Sequence, residues 1–130
     1  MKKTPLLNIA LSQLIASLGH GDMVVIGDAG LPIPSGVPLI DLALTHGVPG
    51  FIETVKTILS EMQVEHHVVG DALAHKSPHL AAQLESFGLP DKRVLSHTEF
   101  KKLTQGARAI VRTGECTPYA NIILVAGVVF

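Results

Sequence analysis

The sequence predicts an α/β fold, a single-domain three-layer α/β/α arrangement with a mostly parallel sheet and an antiparallel C-terminal strand. Three observations support this. Short apolar runs of strand type alternate with segments whose apolar residues recur at helical spacing. The chain has 130 residues, enough for one core and too few for two, so we expect one domain over residues 1–130. The last two predicted strands are joined by a segment too short for the crossover between parallel strands.

The first predicted helix has five apolar residues at helical spacing: Leu7, Leu11, Leu14, Ile15 and Leu18. Gly19 follows them, and we expect it to end the helix in the left-handed conformation. The apolar run Met23–Ile26 is typical of a strand, and the prolines of the segment 29–34 exclude a helix after it. Asp28 is therefore expected at the end of a strand.

The middle of the chain repeats this alternation. Its second helical face consists of Phe51, Val55, Ile58, Leu59 and Met62. A strand is predicted around Val64 to Val69, then a helix from about Pro78 to Phe87 that stops at Gly88. A short strand, 93–95, comes next. The segment 96–99 has the form of a capping box, which makes Ser96 the N-cap, places His97 in the first helical position and has Glu99 reaching back.

The polar segment 112–121 lies between the apolar runs 109–111 and 122–125, so it is predicted to join two strands. Tyr119 and Asn121 are two residues apart at the start of the second strand, where the pleat would direct both side chains to one face. If this last strand is antiparallel, its start lies at the same sheet edge as the ends of the parallel strands. That edge, where open α/β sheets bind ligands, would gather Asp28, His97, Tyr119 and Asn121.

Composition excludes several classes of partner. Ten basic and eleven acidic residues, without a basic cluster, give no charge footprint for nucleic acid or anionic lipid. The longest apolar stretch, 122–130, is too short to span a membrane as a helix. A single cysteine and an N-terminus without a signal-like segment favour the cytoplasm. The mean hydropathy of +0.40 exceeds what a small monomer needs and predicts contacts between subunits.

Each candidate site residue also has a plain structural explanation. His20, between two glycines, could be a general acid or base, or a surface histidine in a turn. Asp28 could accept hydrogen bonds from sugar hydroxyls or cap the following turn. His97 could bind a ligand in its neutral form or simply occupy a first helical turn. Tyr119 could be a half-buried strand aromatic, and Asn121 could close a turn.

Metal, nucleotide and thiol chemistry are less favoured. His75 and His79 are four residues apart, but Pro78 is expected to start the helix after His75. His66 and His67 are adjacent on a strand and face opposite ways. No glycine pattern fits a phosphate loop or a dinucleotide fingerprint. Cys116 could be a nucleophile, although a lone cysteine in such a chain is more often a small buried residue.

Five segments together carry a resemblance that spans nearly the whole chain: 19–22 (GHGD), 28–34 (DAGLPIP), 61–65 (EMQVE), 97–101 (HTEFK) and 112–124 (RTGECTPYANIIL). They resemble the ribose pyranase and fucose mutarotase family, and the forms of the second and last segments resemble its ribose branch. The resemblance implies a cofactor-independent isomerase that converts D-ribose between pyranose and furanose rings. It also implies a ring-shaped homo-oligomer, commonly a decamer of two pentamers, with no metal.

The resemblance further implies that His20 is the catalytic proton donor and that Asp28, His97, Tyr119 and Asn121 bind the sugar. Two other classes stay open: a sugar-binding module without chemistry, which would not need His20, and a cysteine-dependent hydrolase using Cys116. His20 and Asp28 flank the predicted strand 23–26, which separates their backbones by roughly 20 Å. Either this strand is shorter and bent, or the site is shared between subunits. We expect the shared site, with His20 of one chain facing the other four residues of its neighbour.

Overall fold

The computed structural model describes residues 1–130 and contains one sheet of six strands: β1 (Met23–Gly27), β2 (Leu39–Asp41), β3 (Val64–Gly70), β4 (Lys92–Leu95), β5 (Ala109–Arg112) and β6 (Ile122–Ala126). Their order in the sheet is β2-β5-β1-β6-β3-β4. The pairs β2–β5, β5–β1 and β3–β4 are parallel, and β6 runs antiparallel to both of its neighbours, β1 and β3. The predicted mostly parallel sheet with an antiparallel last strand is confirmed.

Five α-helices connect or flank the strands: α1 (Ile9–Ser17), α2 (Phe51–Leu59), α3 (Asp71–Lys76), α4 (Pro78–Glu85) and α5 (His97–Leu103). Pro78 is the first residue of α4, as predicted, which leaves His75 in a separate short helix, α3. α3 and β2 were not predicted, because α3 has only six residues and β2 only three, too few for a periodic pattern to emerge. None of the helices combines the length and the apolar character that crossing a bilayer requires.

Helices cover both faces of the sheet, which confirms the three-layer arrangement. Alternate residues of β6 enter opposite cores, with Ile122 and Leu124 on one face and Ile123 and Val125 on the other. The larger core also receives buried side chains from α1 to α4. The smaller core is covered by α5 through the fully buried Phe100. One face is therefore much less covered by helices than the other.

The prediction that Gly19 caps α1 in the left-handed conformation is wrong. The helix ends at Ser17, and Leu18 is already extended, with φ −71° and ψ 131°. Its backbone N–H bonds to the carbonyl of Ile15, which closes the last turn before the chain reaches Gly19. In the turn that follows, the glycine with positive φ is Gly21, at 87°.

The capping box before α5 is only half formed. Ser96 is the N-cap, and its hydroxyl accepts a hydrogen bond from the Glu99 backbone N–H at 3.2 Å. His97 is the first helical residue, as predicted. The Glu99 carboxylate does not return a hydrogen bond to the Ser96 backbone, so one bond of the reciprocal pair fixes the start of α5.

Candidate functional site

A cavity of about 280 Å³ opens at the sheet edge where the parallel strands end and β6 begins. Its lining residues come from two loops and from α5: Asp28, Gly30, Leu31, Pro32, His97, Lys101, Pro118, Tyr119 and Asn121. The structure therefore brings together the four residues expected to bind sugar. Their convergence follows from the direction of β6, which starts where the other strands end.

Asn121 lies at the floor of this cavity and is only 4% exposed. Its Oδ1 accepts a hydrogen bond from the Asp28 backbone N–H at 2.9 Å, which fixes the orientation of the carboxamide. The Nδ2 group has no hydrogen-bond partner within the chain, so both of its protons are free for an acceptor in the cavity. The last residue of β1 is Gly27, and a Cβ there would lie 2.9 Å from Asn121 Oδ1. The absence of a side chain at Gly27 makes room for the carboxamide.

Asp28 caps a turn and also lines the cavity. Its Oδ1 accepts a hydrogen bond from the Gly30 backbone N–H at 2.9 Å, so it does cap the turn after β1. This bond also orients the carboxylate in the wall of the cavity, and Oδ2 remains without a partner in the chain. A fixed carboxylate oxygen can accept a hydrogen bond from a sugar hydroxyl.

Tyr119 lines the cavity, but its backbone conformation differs from the predicted strand. It lies outside β6 and has φ 63°, so the pleat of the strand does not direct its side chain, and that part of the prediction is wrong. The Asn121 N–H bonds to the Tyr119 carbonyl at 2.9 Å and closes a tight turn just before the strand. The ring packs edge to face on His97, with 5.1 Å between centroids and 86° between planes.

The loop 113–118 carries Tyr119 and is anchored on both sides. The Thr113 hydroxyl donates to the Gly27 carbonyl at 2.8 Å, and the Ala29 N–H donates to the Glu115 carbonyl at 2.8 Å. These bonds tie the loop to the segment that holds Asp28. The buried Ser77, between α3 and α4, donates its hydroxyl proton to the Pro118 carbonyl at 2.8 Å, next to Tyr119.

Glu115 links the same loop to α2. Its carboxylate accepts hydrogen bonds from the Phe51 backbone N–H at 3.0 Å and from the Thr117 hydroxyl at 2.8 Å. Phe51 is the first residue of α2, so the carboxylate satisfies a free N–H at the positive end of the helix. Partial burial alone would raise the pKa of Glu115, but these hydrogen bonds outweigh it and leave the pKa lowered.

His20 lies in a separate place. It occupies the turn 19–22, which is closed by hydrogen bonds from Asp22 N–H to the Gly19 carbonyl at 3.1 Å and from Gly19 N–H to the Asp22 carboxylate at 2.8 Å. The φ of 87° at Gly21 is what the third position of a type II turn requires. The His20 side chain is 57% exposed, as a catalytic or a plain surface histidine would be.

The length of the sheet separates His20 from the cavity. Gly21 N–H bonds to the carbonyl of Ala126, the last residue of β6, whereas Asn121 comes just before the first. At about 3.3 Å per residue, five strand residues place the two ends roughly 15–20 Å apart. Within one chain the structure does not bring His20 together with the other four candidates.

Lys101 lines the cavity but was not among the predicted site residues. It lies four residues after His97, on the same side of α5, and lines the same cavity. Its ammonium group is a hydrogen-bond donor only. The spacing of four on a predicted helix that begins with His97 was the signal that could have identified it.

Cys116 is exposed, so the expectation of a small buried residue is wrong. Its Sγ lies 3.4 Å from the Gly114 carbonyl, and it lines a shallow cleft with His46 and Arg112. Arg112 is engaged by Asp41, and their hydrogen bond holds the pKa of the Asp41 carboxyl below its ordinary value. Neither His20 nor His97, the bases considered for this thiol, lines the cleft.

His66 and His67 lie on β3, as expected. His67 is buried, and its Nδ1 bonds to the Pro90 carbonyl at 2.9 Å. His66 instead lines a cleft on the other face of the sheet, with Met23 and Val68. The two rings therefore face opposite ways. No three side chains of His, Cys, Asp or Glu are grouped closely enough to hold a metal ion.

Comparison with known families identifies the class of protein. Residues 1–129 match the model of the RbsD / FucU transport protein family, and the chain belongs to this family. Among curated relatives, the chain is 63% identical over 134 residues to a D-ribose pyranase of Pseudomonas fluorescens strain Pf0-1. It is 58% identical over 134 residues to a D-ribose pyranase of Pseudomonas syringae pv. syringae strain B728a. Both alignments cover all of each chain.

Solved structures agree with this assignment. The structure of Bacillus subtilis RbsD complexed with D-ribose is similar at a TM-score of 0.96 and 47% identity, over all of both chains. The fucose mutarotase of Streptococcus pneumoniae in complex with L-fucose is similar at a TM-score of 0.82 and 26% identity, again over all of both chains. The α/β fold predicted from the sequence is therefore that of a family with sugar-bound members.

Proposed function

We propose that this protein interconverts the pyranose and furanose ring forms of D-ribose. The observation that carries the proposal is full-length similarity to curated D-ribose pyranases, at 63% identity for the one from P. fluorescens Pf0-1. The cavity at the sheet edge supports it, because its polar groups suit a neutral, hydroxyl-rich ligand. The class of reaction is an intramolecular isomerisation, a mutarotation.

Ring interconversion needs only proton transfers. The anomeric hydroxyl loses its proton while the ring oxygen gains one, which opens the hemiacetal, and closure on a different hydroxyl reverses these steps. We assign His20 as the catalytic proton donor. We assign Asp28, His97, Tyr119 and Asn121 to sugar binding, with Asp28 accepting from hydroxyls and the Asn121 Nδ2 donating to them. No cofactor or metal enters this scheme.

The separation of His20 from the cavity supports a site shared by two subunits. We propose that His20 of one chain faces the cavity of its neighbour. Several large apolar side chains remain exposed in the isolated chain, which supports assembly: Leu7, Ile9, Leu44, Val129 and Phe130. The homodecamer of two pentamers and the cytoplasmic location stay predictions, as does the expectation that no nucleic acid binds.

Two alternatives remain for the same site. A fucose-type mutarotase is the weaker one, because identity to the S. pneumoniae fucose mutarotase is 26%, against 47% to the ribose-bound B. subtilis structure. A sugar-binding module without chemistry would use the cavity but would not need His20. Measurement of the exchange between ring forms separates binding from catalysis.

The test is magnetisation-transfer NMR on equilibrated D-ribose, with and without the protein. We expect the protein to accelerate pyranose–furanose exchange and His20→Ala to slow it by about 10²- to 10⁴-fold without loss of the fold. His79→Ala, at an exposed histidine on α4, is the matched control and should exchange at the wild-type rate. Ribose binding without exchange in the wild-type protein would favour the non-catalytic module.

A further inference from the structure

The segment 61–65 is one of the five segments that resemble the family, but it has no part in the proposed reaction. Its first residue, Glu61, pairs with Lys2 at 3.1 Å on the surface. Its last residue, Glu65, lies in β3 and points to the turn that carries His20. The distance between His20 Nε2 and Glu65 Oε1 is 3.0 Å. The proposed proton donor therefore has a carboxylate partner within its own chain.

A β-bulge explains why Glu65 reaches His20. Along the β3–β6 pair, Val64 faces Ala126 and His66 faces Val125, so two steps on β3 match one step on β6. Glu65 is the extra residue, which leaves it without a partner in the ladder. Glu65 and His66 consequently line the same cleft, whereas successive residues of a regular strand would face opposite ways.

The end of β6 holds the bulge and the His20 turn together. Ala126 accepts a hydrogen bond from Gly21 N–H at 2.8 Å and donates one to the Asp22 carbonyl at 2.8 Å. The next residue, Gly127, donates to the Gln63 carbonyl at 3.0 Å. A Cβ on Gly127 would lie 3.2 Å from the Cβ of Glu65, so the chain passes close over the bulge. Both partners are thus fixed to one backbone segment.

The contact determines which nitrogen of His20 carries the proton. An ionised carboxylate only accepts hydrogen bonds, so the neutral imidazole must donate from Nε2. The Glu65 carboxyl is ionised at neutral pH, as an ordinary glutamate is, and the hydrogen bond from His20 lowers its pKa further. Nδ1 of His20 makes no hydrogen bond within the chain and remains free as an acceptor in the neutral ring.

We propose that Glu65 is a positioning residue that holds His20 with its proton on Nε2, so that Nδ1 takes the proton of the anomeric hydroxyl and then donates it to the ring oxygen. This inference rests on the proposed function. A carboxylate behind an imidazole fixes both the tautomer and the direction of the ring, and loss of either slows proton transfer. The second carboxylate oxygen of Glu65 lies 3.8 Å from Nδ1 of the adjacent residue His66.

The pair can be perturbed without unfolding the protein. In the isolated chain the side chains of His20 and Glu65 are about half exposed, and exposed ion pairs contribute little to stability. Glu65→Ala removes the acceptor, and Glu65→Gln keeps an oxygen that can still accept from Nε2–H. Glu61→Gln is the matched control, because Glu61 belongs to the same segment and also pairs on the surface but lies away from any histidine.

The experiment combines exchange kinetics on D-ribose with ¹⁵N NMR of the histidine side chains in the free protein. We expect Glu65→Ala to lower kcat by about 10- to 100-fold with KM changed less than about twofold. Glu65→Gln should keep more activity, and Glu61→Gln should match the wild type. The wild-type spectrum should show His20 protonated on Nε2 when neutral, and Glu65→Ala should show a mixture of tautomers.

Two results would overturn the role of Glu65 while leaving the proposed function intact. One is wild-type kcat in Glu65→Ala, and the other is a neutral His20 in the wild-type protein that carries its proton on Nδ1. A wild-type protein without any exchange activity would overturn the proposed function and this inference together. An equal fall of kcat in Glu65→Ala and Glu61→Gln would show a general surface effect and would likewise overturn the inference.

Discussion

Gly27→Ala is a substitution whose effect on the candidate site follows directly from the structure. Gly27 ends β1 directly before Asp28 and lies beside the Asn121 carboxamide. A Cβ at this position would lie 2.6 Å from Leu31 Cδ2 and 2.9 Å from Asn121 Oδ1. Both distances are shorter than carbon and oxygen atoms tolerate, so Leu31 and Asn121 must move. The substitution therefore disturbs both the packing of Leu31 and the position of the Asn121 carboxamide.

The expected magnitude follows from these two contacts. Overpacking of a buried position costs about 1–3 kcal/mol. Displacement of Asn121 also loses the hydrogen bond from Asp28 N–H, which adds about 0.5–1.5 kcal/mol. We expect the free energy of unfolding to fall by about 2–4 kcal/mol. Because Asn121 loses its orientation, the Kd for D-ribose should rise about tenfold.

Chemical denaturation and isothermal titration with D-ribose measure the two effects. The matched control is Gly70→Ala, at the end of the parallel strand β3. Gly70 has φ −76°, and a Cβ there would meet nothing within 4 Å, so the free energy of unfolding should change by less than about 0.5 kcal/mol. If Gly27→Ala has the same free energy of unfolding and the same Kd for D-ribose as Gly70→Ala, the assignment of Asn121 to the floor of the site is wrong.

Three further predictions concern thiol chemistry, metals and pH. Cys116→Ser should keep most of the exchange activity, whereas loss of activity at an unchanged melting temperature would revive a nucleophilic thiol. A chelator should leave the exchange rate unchanged, and a chelator-sensitive rate restored by zinc would contradict the cofactor-free assignment. Hydrogen bonds lower the folded-state pKa of Glu115 below its ordinary value of 4.5, so its stabilisation is present at neutral pH and is lost as the pH falls through the lowered pKa. Glu115→Gln should therefore have a lower free energy of unfolding than the wild type at pH 7 and should lose less of it on acidification. The same dependence of the free energy of unfolding on pH in both proteins would contradict the argument.

Much of the fold was predictable because hydrophobic periodicity records burial. The faces of α1 and α2 and the apolar runs of β1, β3 and β6 are long enough to show a period. The short connection before β6 predicted its antiparallel direction, and that direction brings the ends of distant strands to one edge. This is why four candidate residues from three parts of the sequence could be placed in one cavity.

The details that escaped prediction depend on tertiary contacts. Tyr119 has a left-handed backbone that a loop anchored by Thr113, Glu115 and Ser77 imposes, and no periodicity indicates it. The bulge at Glu65 depends on pairing with β6, sixty residues later, so the sequence of β3 alone does not reveal it. The turn at His20 was recognised from its glycines, but which glycine adopts positive φ was not.

The shared site is the central claim, because His20 and the cavity lie at opposite ends of β6 in one chain. The most direct measurement is exchange activity in mixed oligomers of His20→Ala and Asn121→Ala subunits, each inactive alone. With random mixing, roughly a quarter of the junctions would pair an intact His20 with an intact cavity. We expect about that fraction of wild-type activity once mass spectrometry confirms the mixing. If well-mixed oligomers stay inactive, His20 and Asn121 act within one chain, and the shared site is wrong.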